Sequence, residues 1–218
     1  PLEGLRYRFD HPLTMEVAYR EVGEARHRAI HRMVAAVLEQ LHASQLERYA
    51  GLIASHFAEG NAAERAAHYA FLAGQRAAEL SAWAEAIAFY QQALTSADDT
   101  RPLIIYQALG TAYMYAGAPA QAADELRTAV ALAEQRNEGA IADRARLLLA
   151  RTLMAQARFA EAIAIAQQIL THGIPDYQID TELLWATALS IEGVDLEGAA
   201  QHLQHAIGAV ATPPNPEQ

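Results

Sequence analysis

The chain has 218 residues, is 52% hydrophobic with only 7% aromatic, and carries a net charge of -10. It contains no cysteine and no lysine, which excludes disulfides, a thiol nucleophile, cysteine-based zinc, a phosphate-loop lysine and Schiff-base chemistry. The excess acid lies beyond Arg65, a surface that repels a polyanion, so direct nucleic-acid binding is not expected.

The first residues, Pro1–Arg6, show no basic-then-apolar leader. No run of about 18 apolar residues follows, so no transmembrane helix is expected; the absence of cysteine goes with a cytoplasmic setting. A start without Met, inside a structural element, predicts a piece of a longer chain. Leu5, Tyr7 and Phe9 alternate with Arg6, Arg8 and Asp10, a strand pattern of period two. Pro12 suits the first turn of a short helix over 12–20. A longer helix is predicted over 24–42, with Ala29, Met33, Val37 and Leu41 on one stripe. Ser44 reads as the cap of a helix over 45–59, which Gly60 and Asn61 end.

Helices then follow at 62–80, 83–96, 102–116, 119–136, 139–156, 159–172, 178–192 and 196–211. The breaks carry Asp98–Asp99–Thr100 before Pro102, Gly117–Ala118–Pro119, Asn137–Glu138–Gly139 and Gly173–Ile174–Pro175. Loops this short force antiparallel neighbours. Residues 212–218 are proline-rich and expected to be disordered or a linker.

Three stretches repeat: Trp83–Ala84–Glu85–Ala86, Pro119–Ala120–Gln121–Ala122 and Phe159–Ala160–Glu161–Ala162, with Leu196–Glu197–Gly198–Ala199 a looser copy. Their last alanines lie 36, 40 and 37 residues apart, a period that means stacked helical pairs. Tyr106, Leu109, Gly110 and Tyr113 precede Ala122, Leu126 and Ala129 in the second unit; Gly74, Ala150 and Thr187 stand where Gly110 does in the others. The pattern resembles the tetratricopeptide repeat. That resemblance implies an all-α fold over 43–211, a right-handed superhelix of about four helical hairpins with a concave groove. Arg146 in the place of Tyr106, Ile169 at a small position and Thr187 depart from the pattern.

A second resemblance covers residues 7 to about 95. Tyr7–Leu13, Glu16–Tyr19, Arg26 and Arg28–Ala35, with the runs at 60–66 and 73–77, look like the junction in large bacterial signalling ATPases. In that family a nucleotide-binding module and a winged helix precede a tetratricopeptide sensor region. Members include the maltose-regulon activator, LuxR-type regulators and cyclase-associated ATPases. The resemblance implies that residues 1–42 are a winged-helix junction remnant plus a linking helix. It also implies that the repeats are a non-enzymatic sensor of a transcriptional regulator. A free-standing scaffold that assembles a protein complex is the alternative, and a helical metal-binding enzyme is a third reading.

No chemistry-bearing motif stands out. Glu24 with His27 and Glu39 with His42 repeat Glu-x-x-His, but on one helix roughly 22 Å apart at 1.5 Å per residue, so they cannot share a metal. His202 and His205 share a helix face without an acid at ligand spacing in sequence. No catalytic residue, metal or cofactor is expected. Trp83 and Phe159 read as core plugs at the hairpin turns.

In such an array the first helix of each pair faces the groove, and residues offset from the crossing glycine point into it. That selects His68, Phe71 and Gln75; Gln107, Thr111, Met114 and Tyr115; and Arg144, Leu147, Arg151 and Met154. The mix suits a protein, a peptide or a small effector held by a few polar contacts, with the two arginines available to an acidic group. A groove closed by self-packing or by a neighbour's helix is the competing reading. The exposed junction residues predict self-association.

Overall fold

The computed structural model describes residues 11–21, 23–96, 102–172, 175–193 and 195–211. The expected strand at Leu5, Tyr7 and Phe9 and the tail from Thr212 lie outside them. The described elements are α1 (Pro12–Glu21), α2 (Glu24–Leu41), a short 3-10 turn (Ala43–Gln45), α3 (Leu46–Glu59), α4 (Ala63–Glu79) and α5 (Trp83–Ser96). They continue with α6 (Pro102–Tyr115), α7 (Pro119–Gln135), α8 (Gly139–Ala155), α9 (Phe159–His172), α10 (Pro175–Glu192) and α11 (Leu196–Ala211).

From α2 on, each helix packs on its neighbours in sequence, as short loops require. The loops share one device. Asn61, Ser81, Gly117, Asn137, Ala157 and Gly193 all have positive φ, between 52° and 77°. In five of these loops the next amide reaches back to a carbonyl in the helix just ended: Ala62 to Phe57, Ala82 to Ala77, Ala118 to Tyr113, Glu138 to Ala133 and Arg158 to Leu153, each at 2.9 Å. This is a Schellman closure, which satisfies orphan carbonyls and turns the chain sharply. Ser81 and Ala157 adopt the left-handed conformation although they carry a Cβ, at a cost glycine avoids.

The glycines at the crossings are explained by what faces them. A Cβ on Gly74 would lie 2.5 Å from the Tyr90 ring, and one on Gly110 would lie 2.6 Å from Leu126 Cγ. Both helix pairs therefore close over a large side chain of the second helix. Ala150 does the same service in α8, fully buried. In the fourth hairpin the expected Thr187 is exposed. Gly74, Gly110 and Ala150 each lie seven residues before the positive-φ residue of their loop, and the residue seven before Gly193 is Ala186, which is 2% exposed. This loop runs one residue longer before its next helix, starting at Leu196, and the extra residue shifts the register from Thr187 to Ala186.

Two N-terminal expectations are corrected. Ser44 sits inside the 3-10 turn; α3 begins after Gln45 without a side-chain cap. The stripe of Met33, Val37 and Leu41 is exposed, by 62%, 54% and 71%. The buried side of α2 carries Ala35 and Leu38, which join the core of α3 to α6, and Ala35 lies about 200° round the helix from Met33 at roughly 3.6 residues per turn. Arg32 ties α2 down by donating to the Gly60 carbonyl at 2.7 Å. The α1 end is held by rings: Tyr19 hydroxyl hydrogen-bonds His31 Nε2 at 2.9 Å, and His31 in turn meets His56. Burial, then the neighbouring His27 and His56, lowers the pKa of His31.

Helix α10 starts at Pro175, a turn earlier than predicted. Proline is at ease in a first helical turn, where its missing amide has no partner to lose.

Candidate functional site

The first helices of successive pairs, α4, α6, α8 and α10, meet one another in turn along one side of the stack. They form the inner side of the curve. On it lies a cleft of about 430 Å³. Helix α4 contributes Phe71, Gln75 and Ala78; α6 contributes Ile104, Gln107, Ala108, Thr111 and Ala112; α8 contributes Ala140, Ile141, Arg144 and Leu148. Trp83 and Tyr90 from α5 and Tyr177 from α10 complete the lining.

Five of the eleven sequence-predicted residues, Phe71, Gln75, Gln107, Thr111 and Arg144, share this cleft. They do so because helical offsets of three and four residues keep them on one face. Gln107 is largely buried and donates from Nε2 to the Ile141 carbonyl at 3.1 Å, so it braces α6 against α8. Thr111 Oγ1 donates to the Gln107 carbonyl within the helix. Arg144 is exposed at the rim, and among the described residues no ion pair engages it.

The other six are placed differently. Arg151 and Met154 line a second depression of about 280 Å³ with Asp180, Leu183, Leu184 and Thr187. There Arg151 already pairs with Asp180 at 3.1 Å, both half exposed. Met154 is half-buried. Met114 lies half-buried with its sulfur 3.8 Å from Thr152 Oγ1. Tyr115 is 60% exposed and stacks on Trp83 with ring centroids 4.7 Å apart. His68 lies in a separate depression with Glu39, Glu64, Arg65 and Tyr69. Leu147 is corrected outright: it is 5% exposed and packs with Leu126, Leu149 and Leu153, so it serves the core.

Trp83, Ile104, Ile141 and Tyr177 line the cleft without having been singled out as groove residues. Trp83 is half-buried; it is less a plug than a wall, with Tyr115 stacked against it.

Electrostatics separate the ends of the stack. Tyr90 is pushed up to about 12 by burial, with Glu79 adding to it. Tyr69 is also pushed up to about 12, by burial and then by its hydrogen bond to Glu39. Arg65 pairs with the same carboxylate and stands 4.1 Å over the Phe57 ring, a cation–π contact. In the later hairpins a buried ionic group appears. Asp143 is fully buried and accepts from Arg146 Nη1 at 2.6 Å; Arg146 also pairs with Glu134, and His172 Nδ1 lies 2.9 Å from Asp143. These contacts pin α7, α8 and α9 together.

No helix among the described residues is long and apolar enough to cross a membrane. No family model matches the chain, and no curated relative does. Solved structures do. YrrB, a TPR protein with an unusual peptide-binding site, superposes with a TM-score of 0.63 at 18% identity, over 91% of this chain and 92% of that one. The MamA protein gives 0.64 at 15% identity, over 88% and 96%. The Rap conjugation gene regulator of plasmid pLS20, in complex with the Phr* peptide, gives 0.58 at 18% identity, over 71% of this chain and 44% of that one. Likeness at such identities speaks for architecture, and it agrees with the hairpin geometry above: the fold is all-α, a right-handed superhelix of tetratricopeptide-like helical hairpins.

Proposed function

We propose that this chain is a non-catalytic binding module that holds a peptide segment of a partner protein in the inner cleft. The observation that carries the reading is Arg144. It stands exposed at the rim of a cleft with apolar walls at Phe71, Ile104 and Ile141, and among the described residues no carboxylate neutralises it. A guanidinium so placed suits a carboxylate held in two parallel hydrogen bonds. Gln75 and Thr111 supply further polar contacts, and the exposed Ile104 offers apolar area. The peptide sites named for YrrB and the Rap regulator lie in proteins of like architecture, which supports the reading by analogy. The inner face continues past Met114 and Tyr115 to Met154 and Arg151, which would receive the rest of a longer peptide. A cytoplasmic setting goes with this reading.

The test is a peptide library panned against the chain and its Arg144→Glu variant. Selected peptides should share an Asp, a Glu or a free C-terminal carboxylate next to an aliphatic or aromatic residue. Their affinity for Arg144→Glu should fall at least about tenfold, the equivalent of roughly 1.4 kcal/mol, with melting unchanged. Arg151→Glu, whose arginine already has Asp180, should lose less. Peptides that bind parent and Arg144→Glu equally would overturn the reading.

A second reading places the module inside a signalling ATPase, as the sensor region of a transcriptional regulator. It is favoured by the exposed stripe of Ile30, Met33, Val34, Val37 and Leu41 on α2, since apolar patches of this kind mark interaction sites. Residues 1–42 would then join the repeats to a winged helix. A phosphate loop and winged helix encoded upstream in the same reading frame would support it, and a frame without them would remove it.

A further inference from the structure

Glu182 on α10 is 5% exposed, yet it is a carboxylate. Burying a charge is costly unless a counter-charge or full hydrogen bonding compensates. The groups that meet it come from α11: His202 Nδ1 lies 2.5 Å from one carboxylate oxygen and His205 Nδ1 lies 3.6 Å from the other. A neutral imidazole satisfies a lone pair but brings no charge. The acid missing beside the two histidines in sequence is therefore supplied by the neighbouring helix.

We propose that Glu182, His202 and His205 form a binding site for a divalent transition-metal ion of the zinc class. One ligand atom from each can be chosen so that all three lie within 4.8 Å of one another. A tetrahedral ion with bonds of about 2.0–2.1 Å needs its ligand atoms roughly 3.4 Å apart. His205 Nδ1 stands 3.6 Å from one carboxylate oxygen, close to that spacing, and His202 Nδ1 stands 2.5 Å from the other, so a shared ion needs a turn of the carboxylate that brings one oxygen to both rings. Spacing of three residues puts both imidazoles on one side of α11. Two imidazoles and a carboxylate suit zinc, nickel or copper over magnesium or calcium.

The surroundings fit a ligand set. Trp185 stacks on the His202 ring at 4.1 Å between centroids, fixing its orientation as outer partners of a metal site do. His205 is 65% exposed and lines an open depression with Gln178, Ile179, Gln204 and Ala209. A fourth position is therefore open to water or to a donor from a partner. Such an ion would clamp α10 to α11, closing the end of the stack and neutralising Glu182.

The test uses the full chain without a histidine tag, stripped with a chelator and desalted. Zinc alone is titrated by competition with a chromophoric chelator, and cobalt is used to read coordination from its visible spectrum. The expected result is one equivalent bound, a tetrahedral cobalt spectrum and a raised melting temperature. His205→Ala removes an exposed ring, so its metal-free melt should match the parent. Its zinc affinity should fall more than about 100-fold, since even outer partners of metal ligands are worth about 10–100-fold. Glu182→Gln should abolish the tetrahedral spectrum. Failure of the parent to bind overturns the proposal. So does unchanged affinity in both variants, or binding that survives Glu182→Gln and is lost in His27→Ala.

Discussion

In α4 the residue eleven places before the loop's left-handed position is Ala70, fully buried among alkyl and aromatic groups. In α8 and α10 the same register position holds Arg146 and Glu182, each under a tenth exposed. The front of the stack, α3 to α6, closes over Ile53, Phe57, Tyr90, Ile105 and Leu109. The back closes over leucines and isoleucine interrupted by Asp143, Arg146, Thr152, Thr181 and Glu182. Up to α9 the hairpin geometry repeats in both halves, because it is fixed elsewhere: by the Schellman closures and by a Gly or Ala at each crossing; α10 and α11 keep a small residue at the crossing, Ala186, with a loop one residue longer. The position facing the interior therefore holds an alanine in one hairpin and, in two others, a charged side chain whose polar atoms are met. The difference teaches that the back half depends on pairings that can be broken one partner at a time, and the front half on volume.

The largest expected effect tests the pairing half of that contrast. Arg146→Met leaves the fully buried Asp143 with the half-exposed His172 as its remaining partner, and should cost up to about 3–5 kcal/mol in denaturant unfolding. Adding Asp143→Leu should recover much of the loss, because a buried ion pair replaced whole by apolar groups is often neutral. A single variant as stable as the parent would break the comparison.

Next comes the volume half. Gly110→Leu drives a side chain into Leu126 and towards the Ala122 carbonyl, 3.3 Å from where a Cβ would sit. Overpacking of this kind costs about 1–3 kcal/mol. Gly117→Leu, where nothing lies within 4 Å of a Cβ but φ is +77°, serves to separate crowding from backbone strain. Volume dominates if the loss at Gly110 is accompanied by disturbed Tyr113 and Leu126 resonances and the loss at Gly117 is not.

A smaller effect appears at high pH. Tyr69 and Tyr90 have folded values near 12, above the ordinary tyrosine value of about 10. The unfolded chain therefore loses these protons first, and stability present below about pH 10 is lost as pH rises towards 12. Tyr90→Phe should flatten that decline, read as melting temperature against pH. A slope unchanged by Tyr90→Phe would show that burial in the front half does not hold the phenol neutral.

The smallest is a gain. Ala157→Gly relieves a left-handed alanine, and the greater freedom of glycine in the unfolded chain offsets part of the relief, so an increase below about 1 kcal/mol is expected.

What the sequence discloses follows the same division. The helices after residue 62 are legible to within a few residues because Pro102, Gly117, Pro119, Asn137 and Gly139 punctuate them, and because the Ala86, Ala122 and Ala162 motifs mark each second helix. The crossing in the fourth hairpin is not legible. An added loop residue between Gly193 and Leu196 leaves no mark on composition, yet it moves the buried site from Thr187 to Ala186. The stripe on α2 was visible as a stripe, but periodicity does not say whether anything covers it. Offsets from the crossing glycines place Phe71, Gln75, Gln107, Thr111 and Arg144 together. They miss Ile141 and Tyr177, which reach the cleft from α8 and α10, and they misassign Leu147, which turns into the core.

The central claim is that the inner face of α4, α6 and α8 is the working surface. The most direct measurement is hydrogen exchange of the chain with and without a saturating peptide selected from the library. Added protection should concentrate on the helix segments around Phe71–Gln75, Ile104–Thr111 and Ile141–Leu148. Protection confined to α2 between Ile30 and Leu41, or to the outer helices α7 and α9, would contradict it.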